Sequence, residues 1–289
     1  MKLLRLGPRG QERPALLDAQ GHARDLSGLL RDITPRTLSP EGLAALRAVD
    51  PAALPLLPEG LRPGLPWRGC RKFLCVGLNY ADHAAEAGMA LPTEPILFTK
   101  QLSSLVGAQD TVVLPQGATK GDWEVELGVV IGRTARCIEP EEALAHVAGY
   151  CVVNDVSERS FQLERGGTWD KGKGCDTFGP VGPWLVTADE VPDPQALDLW
   201  LDVNGQRMQT GNTRTMVFGV AALISTISRY CTLHPGDLIA TGTPPGVGMG
   251  MKPLPRFLQP GDEMRLGISG LGEQRLPVKA WDRALFDDQ

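Results

Sequence analysis

The sequence lacks several features that would assign it to a particular class of protein. Its six cysteines include no Cys-x-x-Cys pair, which argues against a zinc site and predicts reduced, mostly buried thiols. No apolar run is long enough to span a membrane, and residues 1–10 lack the apolar stretch of a signal peptide. We therefore expect a cytoplasmic protein with no membrane partner.

An excess of basic charge is also missing. The net charge is −5, and the lysines and arginines are scattered rather than clustered, which argues against a nucleic-acid partner. The shares of charged residues, 22%, and apolar residues, 42%, are ordinary for a globular enzyme. A length of 289 residues allows one large domain, or a main domain with a small appendage.

Proline marks the expected boundary between two parts of the chain. Five prolines lie within residues 51–66, a density that blocks regular helix and central strand. We predict a small N-terminal domain with its proline-rich linker over residues 1–66, and the main domain over residues 67–289. A short apolar run at 73–78 is typical of the first buried strand of the main domain.

Strand patterns dominate the main domain. Residues 197–203 alternate apolar and polar and lead into Asn204-Gly205, which predicts a β-hairpin. Another strand is predicted at 238–241, and helical periodicity is present at 141–148 and, more strongly, at 216–230. Many short strands with few helices favour an α+β fold with a mixed sheet over a doubly wound α/β sheet.

The segment 122–132 carries two glutamates inside an otherwise apolar strand pattern. Side chains two residues apart point to the same face of a strand, so Glu124 and Glu126 are expected to lie side by side. Two ionised carboxylates on a buried strand repel each other and lose hydration. The pair can persist if one carboxyl is protonated, if a cation lies between them, or if that face is wet.

A third acid, Asp155, ends the next strong strand pattern at 150–155. Three carboxylates without a nearby Cys or His describe a site of hard oxygen ligands, which suits Mg²⁺ or Mn²⁺ better than Zn²⁺. The alternative is that the acids form structural salt bridges with Arg133, Arg136 or Arg159. Residue spacing alone does not separate these two interpretations.

Three further segments carry polar side chains suited to catalysis or binding. On a short helix, His83 and Glu86 share a face, as in a general base with its orienting carboxylate, or as in an incidental surface ion pair. Lys173 lies between two glycines and could stabilise an anion, or could be a solvated loop lysine. Thr243 follows the predicted strand at 238–241 and could bind a small carboxylate.

The order of these segments resembles the fumarylacetoacetate hydrolase family over about residues 70–270. The resemblance rests on Gly77-Leu78-Asn79-Tyr80 with Asp82-His83, Glu124-Val125-Glu126-Leu127, Val153-Asn154-Asp155-Val156-Ser157, Gly172-Lys173-Gly174, Asp176-Thr177-Phe178-Gly179-Pro180 and Thr241-Gly242-Thr243-Pro244-Pro245-Gly246-Val247-Gly248. It implies a catalytic domain built as a mixed, barrel-like β-roll with flanking helices. It also implies a homodimer and one bound Mg²⁺ or Mn²⁺.

The resemblance assigns a role to each candidate residue. It implies metal ligation by Glu124, Glu126 and Asp155, and activation of water by His83 and Glu86 in a segment that serves as a lid. It places Lys173 beside the oxygens of the substrate. It implies that the substrate is bound by Arg159, Gln162 and Thr243.

The implied reaction is hydrolysis of the C3–C4 bond of a 2,4-diketo acid, an acylpyruvate, to pyruvate and a carboxylic acid. Residues 162–176 resemble bacterial members that act on 2,4-diketo-3-deoxy-L-fuconate or -rhamnonate, a subgroup also labelled ureidoglycolate lyase. Two alternatives use the same site: decarboxylation of oxaloacetate, and tautomerisation of a 2-hydroxymuconate-type acid. A third is a non-catalytic protein that binds a metal or a ligand.

Overall fold

Two open β-sheets form the centre of the computed structural model, which describes residues 1–86 and 88–285. The larger sheet contains β1 (Lys2–Leu6), β2 (Arg13–Leu17), β3 (Ala23–Asp25), β4 (Phe73–Gly77), β5 (Ile96–Thr99), β9 (Val125–Ile131), β10 (Val147–Asn154), β13 (Leu185–Thr187) and β16 (Leu238–Ala240). The smaller contains β7 (Val112–Leu114), β14 (Asp198–Val203), β15 (Gln206–Asn212), β17 (Glu263–Ile268) and β18 (Gly272–Ala280). Two short pairs join β6 (Leu105–Val106) to β12 (Gly179–Pro180), and β8 (Gly121–Asp122) to β11 (Ser157–Glu158).

The helices are short and lie between the strands. They are α1 (Pro40–Arg47), α2 (Ala81–Glu86), α3 (Pro140–Ala143), α4 (Arg159–Leu163), α5 (Asp170–Lys173) and α6 (Val220–Tyr230). Single 3-10 turns cover Pro51–Ala53, Leu102–Ser104, Leu144–His146, Ala188–Glu190, Thr213–Thr215, Gly248–Gly250 and Arg283–Leu285. Within residues 1–86 and 88–285, no helix is long and apolar enough to cross a bilayer.

The larger sheet has the order β3-β2-β1-β13-β10-β9-β16-β4-β5 and is covered on both faces. On one face, side chains such as Leu127 and Ile239 pack against α6 and the smaller sheet. On the other face, Val130 and Leu238 pack against α1 and Trp67. Because β9 has a strand on each side and a core on each face, all seven of its residues are buried.

The predicted α+β fold with a mixed sheet is confirmed, with open sheets instead of a closed barrel among the described residues. The hairpin at Asn204-Gly205 is also confirmed, because β14 and β15 pair antiparallel around two residues with positive φ, 52° and 76°. The helix predicted at 216–230 begins four residues late, at Val220 after Gly219. The prediction at 141–148 is wrong beyond His146, where β10 begins at Val147.

The N-terminal strands extend the larger sheet. Strand β1 pairs antiparallel with β13, with Leu3 opposite Leu185, and β2 and β3 continue the sheet beyond it. Leu3 is fully buried in the same apolar cluster as Phe73. The division at residue 66 stays a prediction, although residues on both sides of that boundary share this cluster.

Candidate active site

Glu124, Glu126 and Asp155 converge at one end of strands β9 and β10. In the antiparallel ladder Glu126 faces Val153, so the residue that precedes β9 and the residue that follows β10 are neighbours. One carboxylate oxygen from each acid lies within 4.8 Å of the other two. All three side chains are buried, and the carboxylates predicted to share one site therefore do so.

Glu124 differs from the prediction in its backbone. The expected continuous strand over 122–132 is interrupted, because β8 ends at Asp122 and β9 begins at Val125. The Glu124 amide donates to Asn154 Oδ1 at 3.1 Å, and its carbonyl accepts from the Asp155 amide at 2.9 Å. These bonds hold Glu124 beside Asp155 without a regular strand.

Three buried cationic side chains contact the acids. Arg159 Nη2 lies 2.6 Å from Glu124 Oε1, and Arg159 Nε lies 2.8 Å from Asp122 Oδ2. Lys173 Nζ bridges Glu124 Oε2 at 2.6 Å and Asp155 Oδ2 at 2.7 Å.

The third cation is Lys100, whose Nζ lies 2.6 Å from Asp155 Oδ1. Of the arginines considered as salt-bridge partners, Arg159 fills that role, whereas Arg133 and Arg136 are exposed on the surface. Salt bridges and a possible metal site thus occupy the same place in the fold.

The electrostatic surroundings shift the pKa values of the two glutamates in opposite directions. Burial raises the pKa of Glu124, but Lys173 and Arg159 outweigh this effect and lower its pKa to about 2. Burial raises the pKa of Glu126 well above its ordinary value, and the charges of Asp155 and Glu124 raise it further. Glu124 is therefore held ionised, whereas Glu126 resists ionisation unless a cation is added.

The cluster has one carboxylate more than it has cationic side chains. Four buried carboxylates, on Asp122, Glu124, Glu126 and Asp155, meet the three buried cations of Lys100, Arg159 and Lys173. Within the described part of the chain, Glu126 makes no ion pair, and its Oε2 accepts from the Gly242 amide at 2.8 Å. Three carboxylates and no sulfur or imidazole ligand make a donor set suited to Mg²⁺ or Mn²⁺.

His83 and Glu86 lie on α2, as predicted, and their side chains are close enough to interact. His83 Nδ1 is 3.3 Å from Glu86 Oε2, and the Glu86 carboxylate also accepts from the Gly246 amide at 3.1 Å. The Gly246 carbonyl in turn accepts from Trp123 Nε1 at 3.0 Å. Because Trp123 immediately precedes Glu124, this chain of contacts connects α2 to the carboxylate cluster.

The remaining predicted binding residues are buried around the cluster. Gln162 on α4 accepts from Arg159 Nη1 at 3.1 Å through its side-chain carbonyl, which leaves its NH₂ group free to donate. The Thr243 hydroxyl donates to the Val125 carbonyl at 2.9 Å and accepts from Gln209 Nε2 at 2.8 Å. The proton of the Thr243 hydroxyl is thus already donated to a backbone carbonyl of the protein.

Lys100 and Asp122 are the residues of the cluster that sequence reasoning missed. A signal for Lys100 was available, because it follows the apolar run 95–98 after one polar residue, just as Asp155 follows the apolar end of β10 after Asn154. Asp122 lies in the motif segment itself. Its carboxylate binds the amides of Gly248 and Met249 in addition to Arg159.

Known proteins share both the sequence and the fold. A protein of Burkholderia lata, provisionally named a hydrolase, is 62% identical over 274 residues, which cover 95% of this chain and 97% of that protein. The structure of maleylpyruvate hydrolase from Sphingobium sp. SYK-6, in complex with manganese(II) and pyruvate, is 31% identical and superposes with a TM-score of 0.80, covering 98% of this chain and 100% of that one. The structure of 5-carboxymethyl-2-hydroxymuconate delta-isomerase from Mycobacterium smegmatis is 29% identical, with a TM-score of 0.78 and the same coverage.

The family comparison covers most of the chain. Residues 72–279 match the model of the fumarylacetoacetate hydrolase C-terminal domain. This range contains every candidate site residue described above, from His83 to Thr243. The chain therefore belongs to the fumarylacetoacetate hydrolase family of enzymes.

Proposed function

We propose that this enzyme hydrolyses the C3–C4 bond of a 2,4-diketo acid and releases pyruvate and a carboxylic acid. The observation that carries the proposal is the His83–Glu86 pair, which contacts the same loop as a carboxylate cluster in which Glu126 has no cationic partner among the described residues. Tautomerisation and decarboxylation require a stabilised enolate but no activated water. A histidine oriented by a carboxylate supplies the additional base that hydrolysis needs.

The carboxylate cluster would hold the metal ion. Glu124, Glu126 and Asp155 are its candidate ligands, and bound Mg²⁺ or Mn²⁺ would supply Lewis-acid stabilisation of negative charge on the substrate oxygens. The manganese and pyruvate named for the similar Sphingobium structure support both the ion and the product. Lys100 would hold the carboxylate of Asp155 in place, and Arg159 would hold that of Glu124.

His83 is the proposed general base. Its Nδ1 faces Glu86, so an Nδ1–H donated to that carboxylate leaves Nε2 free to accept a proton from water. The resulting hydroxide attacks C4, the C3–C4 bond breaks, and its electron pair passes to the enolate of pyruvate. The proton held by His83 is returned to C3, so the elements of one water molecule are added to the products.

Other residues would bind the keto acid and its developing charge. The Lys173 ammonium lies between Glu124 and Asp155 and can stabilise the enolate oxygen. Gln162 can donate its NH₂ group to the substrate, and the loop of Thr243 can receive the carboxylate. Arg159 is fully engaged with Asp122, Glu124 and Gln162, so it acts chiefly by positioning Glu124.

The proposed substrates are acylpyruvates, including 2,4-diketo-3-deoxy-L-fuconate and -rhamnonate, and the proposed assembly is a homodimer. A second candidate function is isomerisation of a 2-hydroxymuconate-type acid, which is favoured by the similarity to the delta-isomerase of Mycobacterium smegmatis. Decarboxylation of oxaloacetate would use the same enolate stabilisation without water attack.

One isotope experiment distinguishes the three reactions. The enzyme is incubated with each substrate class and Mg²⁺ or Mn²⁺ in H₂¹⁸O, and the products are analysed by mass spectrometry. Hydrolysis releases pyruvate and places one ¹⁸O atom in the new carboxylic acid. Carbon dioxide from oxaloacetate, or a shifted double bond without cleavage, would contradict the proposal; a reaction mixture with EDTA serves as the control.

A further inference from the structure

We infer that a second cavity, separate from the carboxylate cluster, binds a small organic anion with an apolar body. The cavity has a volume of about 1040 Å³ and lies among the N-terminal residues. Its walls come from the segment 29–37, from helix α1 with the residues that follow it, and from Arg68-Gly69. None of its lining residues belongs to the candidate active site.

Three arginines give the cavity a positive wall. Arg31 and Arg36 are exposed and form no ion pair within residues 1–86 and 88–285. Among the described residues, the one ion-pair partner of Arg68 is distant, with 3.7 Å between Arg68 Nη1 and Asp32 Oδ2, and the Arg68 side chain is 66% exposed. Guanidinium groups favour carboxylates and phosphates, which they bind through paired hydrogen bonds.

The two acids in the cavity do not cancel this charge. Asp32 is bound by Arg5, with 2.6 Å between Arg5 Nε and Asp32 Oδ1. Glu12 is bound on one oxygen by Arg5 and on the other by Arg62, both at 3.1 Å. Arg62 also pairs with Asp110, so Arg5, Arg62 and Arg68 together balance the three carboxylates of Glu12, Asp32 and Asp110. The charge of Arg31 and Arg36 therefore remains available to a ligand.

An apolar surface lies in the same cavity. The Leu29 side chain is 56% exposed, and Leu30, Leu46 and Val49 also line the space. An inorganic ion would leave the exposed parts of these side chains, above all Leu29, uncovered. A ligand with a hydrocarbon or aromatic part would bury them while its acid group contacts the arginines.

The backbone of the cavity is fixed in place. The Arg68 amide donates to the Ile33 carbonyl at 2.8 Å, and the Thr37 hydroxyl donates to the Asp32 carbonyl at 3.2 Å. A Cβ atom added at Gly42 would lie 2.4 Å from the Arg36 carbonyl oxygen, so α1 packs tightly on this segment. A preformed site costs little conformational entropy on binding.

The anionic fluorophore 8-anilinonaphthalene-1-sulfonate is a suitable probe, because it combines a sulfonate with an aromatic body. We expect saturable fluorescence enhancement with the folded enzyme, and competition by octanoate and phenyl phosphate. Comparison of the two competitors shows whether a carboxylate or a phosphate is preferred. Competition by inorganic phosphate as effective as that by phenyl phosphate would overturn the inference, because the apolar wall would then be unused.

Two charge-matched double variants locate the site. Arg31→Gln with Arg36→Gln should weaken probe binding about tenfold or more, as expected for loss of a charge-assisted hydrogen bond. Arg71→Gln with Arg136→Gln removes the same charge from exposed positions outside the cavity and should leave binding unchanged. Equal affinities of the two double variants, or no saturable binding by the wild type, would overturn the inference. Because binding is read without turnover, neither result depends on the proposed reaction.

Discussion

Lys100 and Asp155 form an ion pair in which neither side chain is exposed to solvent, with 2.6 Å between Lys100 Nζ and Asp155 Oδ1. Lys100 Nζ also donates to the Val156 carbonyl at 3.0 Å, while the second oxygen of Asp155 accepts from Lys173. Both carboxylate oxygens of Asp155 are therefore fixed by lysines that reach it from separate segments of the chain.

Replacement of Lys100 should destabilise the enzyme strongly. Lys100→Met keeps the apolar stem but leaves a buried carboxylate without one of its partners, which costs about 3–5 kcal/mol. Chemical denaturation of the metal-free protein measures the change. Lys120→Met is the control, because the Lys120–Glu164 pair is exposed and its loss should cost less than about 1 kcal/mol. A similarly small effect at Lys100 would show that its charge is dispensable.

The raised pKa of Glu126 predicts an unusual pH dependence for the metal-free protein. In the folded state Glu126 keeps a proton that the unfolded chain releases above its ordinary pKa of 4.5. The free energy of unfolding should therefore fall as the pH rises from 4.5 towards the raised pKa. Glu126→Gln removes this titration, so the free energy of unfolding of the variant should change less with pH between 4.5 and the raised pKa.

The same Glu126→Gln variant should also bind Mg²⁺ or Mn²⁺ more weakly. Without metal it should be at least as stable as the wild type at neutral pH, but the rise in melting temperature on adding metal should be largely lost. Thermal denaturation with and without EDTA provides both measurements. Glu59→Gln, at an exposed position, is the matched control. A wild-type metal response in Glu126→Gln would rule out this glutamate as a ligand.

Substitution of His83 should separate catalysis from metal binding. His83→Gln removes the base but none of the carboxylates, so we expect kcat for acylpyruvate cleavage to fall about 10²- to 10⁴-fold. The metal-dependent shift in melting temperature should stay unchanged. His146→Gln provides the control, because the His146 ring bonds the Arg133 carbonyl and contacts none of the candidate site residues among those described. Near wild-type turnover by His83→Gln would refute the assignment of the base.

Thr243 is predicted to contribute to stability through its hydroxyl. Thr243→Val leaves the Val125 carbonyl and the Gln209 amide without this partner, at a cost of about 1–3 kcal/mol. Thr243→Ser keeps the hydroxyl and should recover most of the loss in a denaturation experiment. If Thr243→Val is instead as stable as the wild type but has a raised KM, the hydroxyl acts on the substrate and its structural bonds are dispensable.

Local signals predicted much of this fold. Asn204-Gly205 specifies its own hairpin, because both residues tolerate positive φ and the paired strands adjoin in sequence. The alternation of Glu124 and Glu126 with apolar residues also identified the correct face, even though Glu124 lies outside the strand. In both cases the determining interactions lie within a few residues.

The remaining features depend on contacts between distant segments. Leu3 pairs with Leu185, and nothing local to either strand specifies this partner. Residues 141–148 have helical periodicity, but pairing with β9 draws the chain into strand β10 from Val147. The position of Lys100 after an apolar run is a local signal, but its partner, Asp155, is 55 residues away and is not specified locally.

Strand β9 has no face towards water, and this constrains how the family site can change over evolution. Any polar side chain introduced along Val125–Ile131 must find its neutralising partner inside the protein, so most substitutions there need a second one elsewhere. The exposed residues of α2 and of the segment 163–168 face no such requirement. We therefore expect new substrate preferences to arise from these surface segments, while the acids beside β9 change slowly.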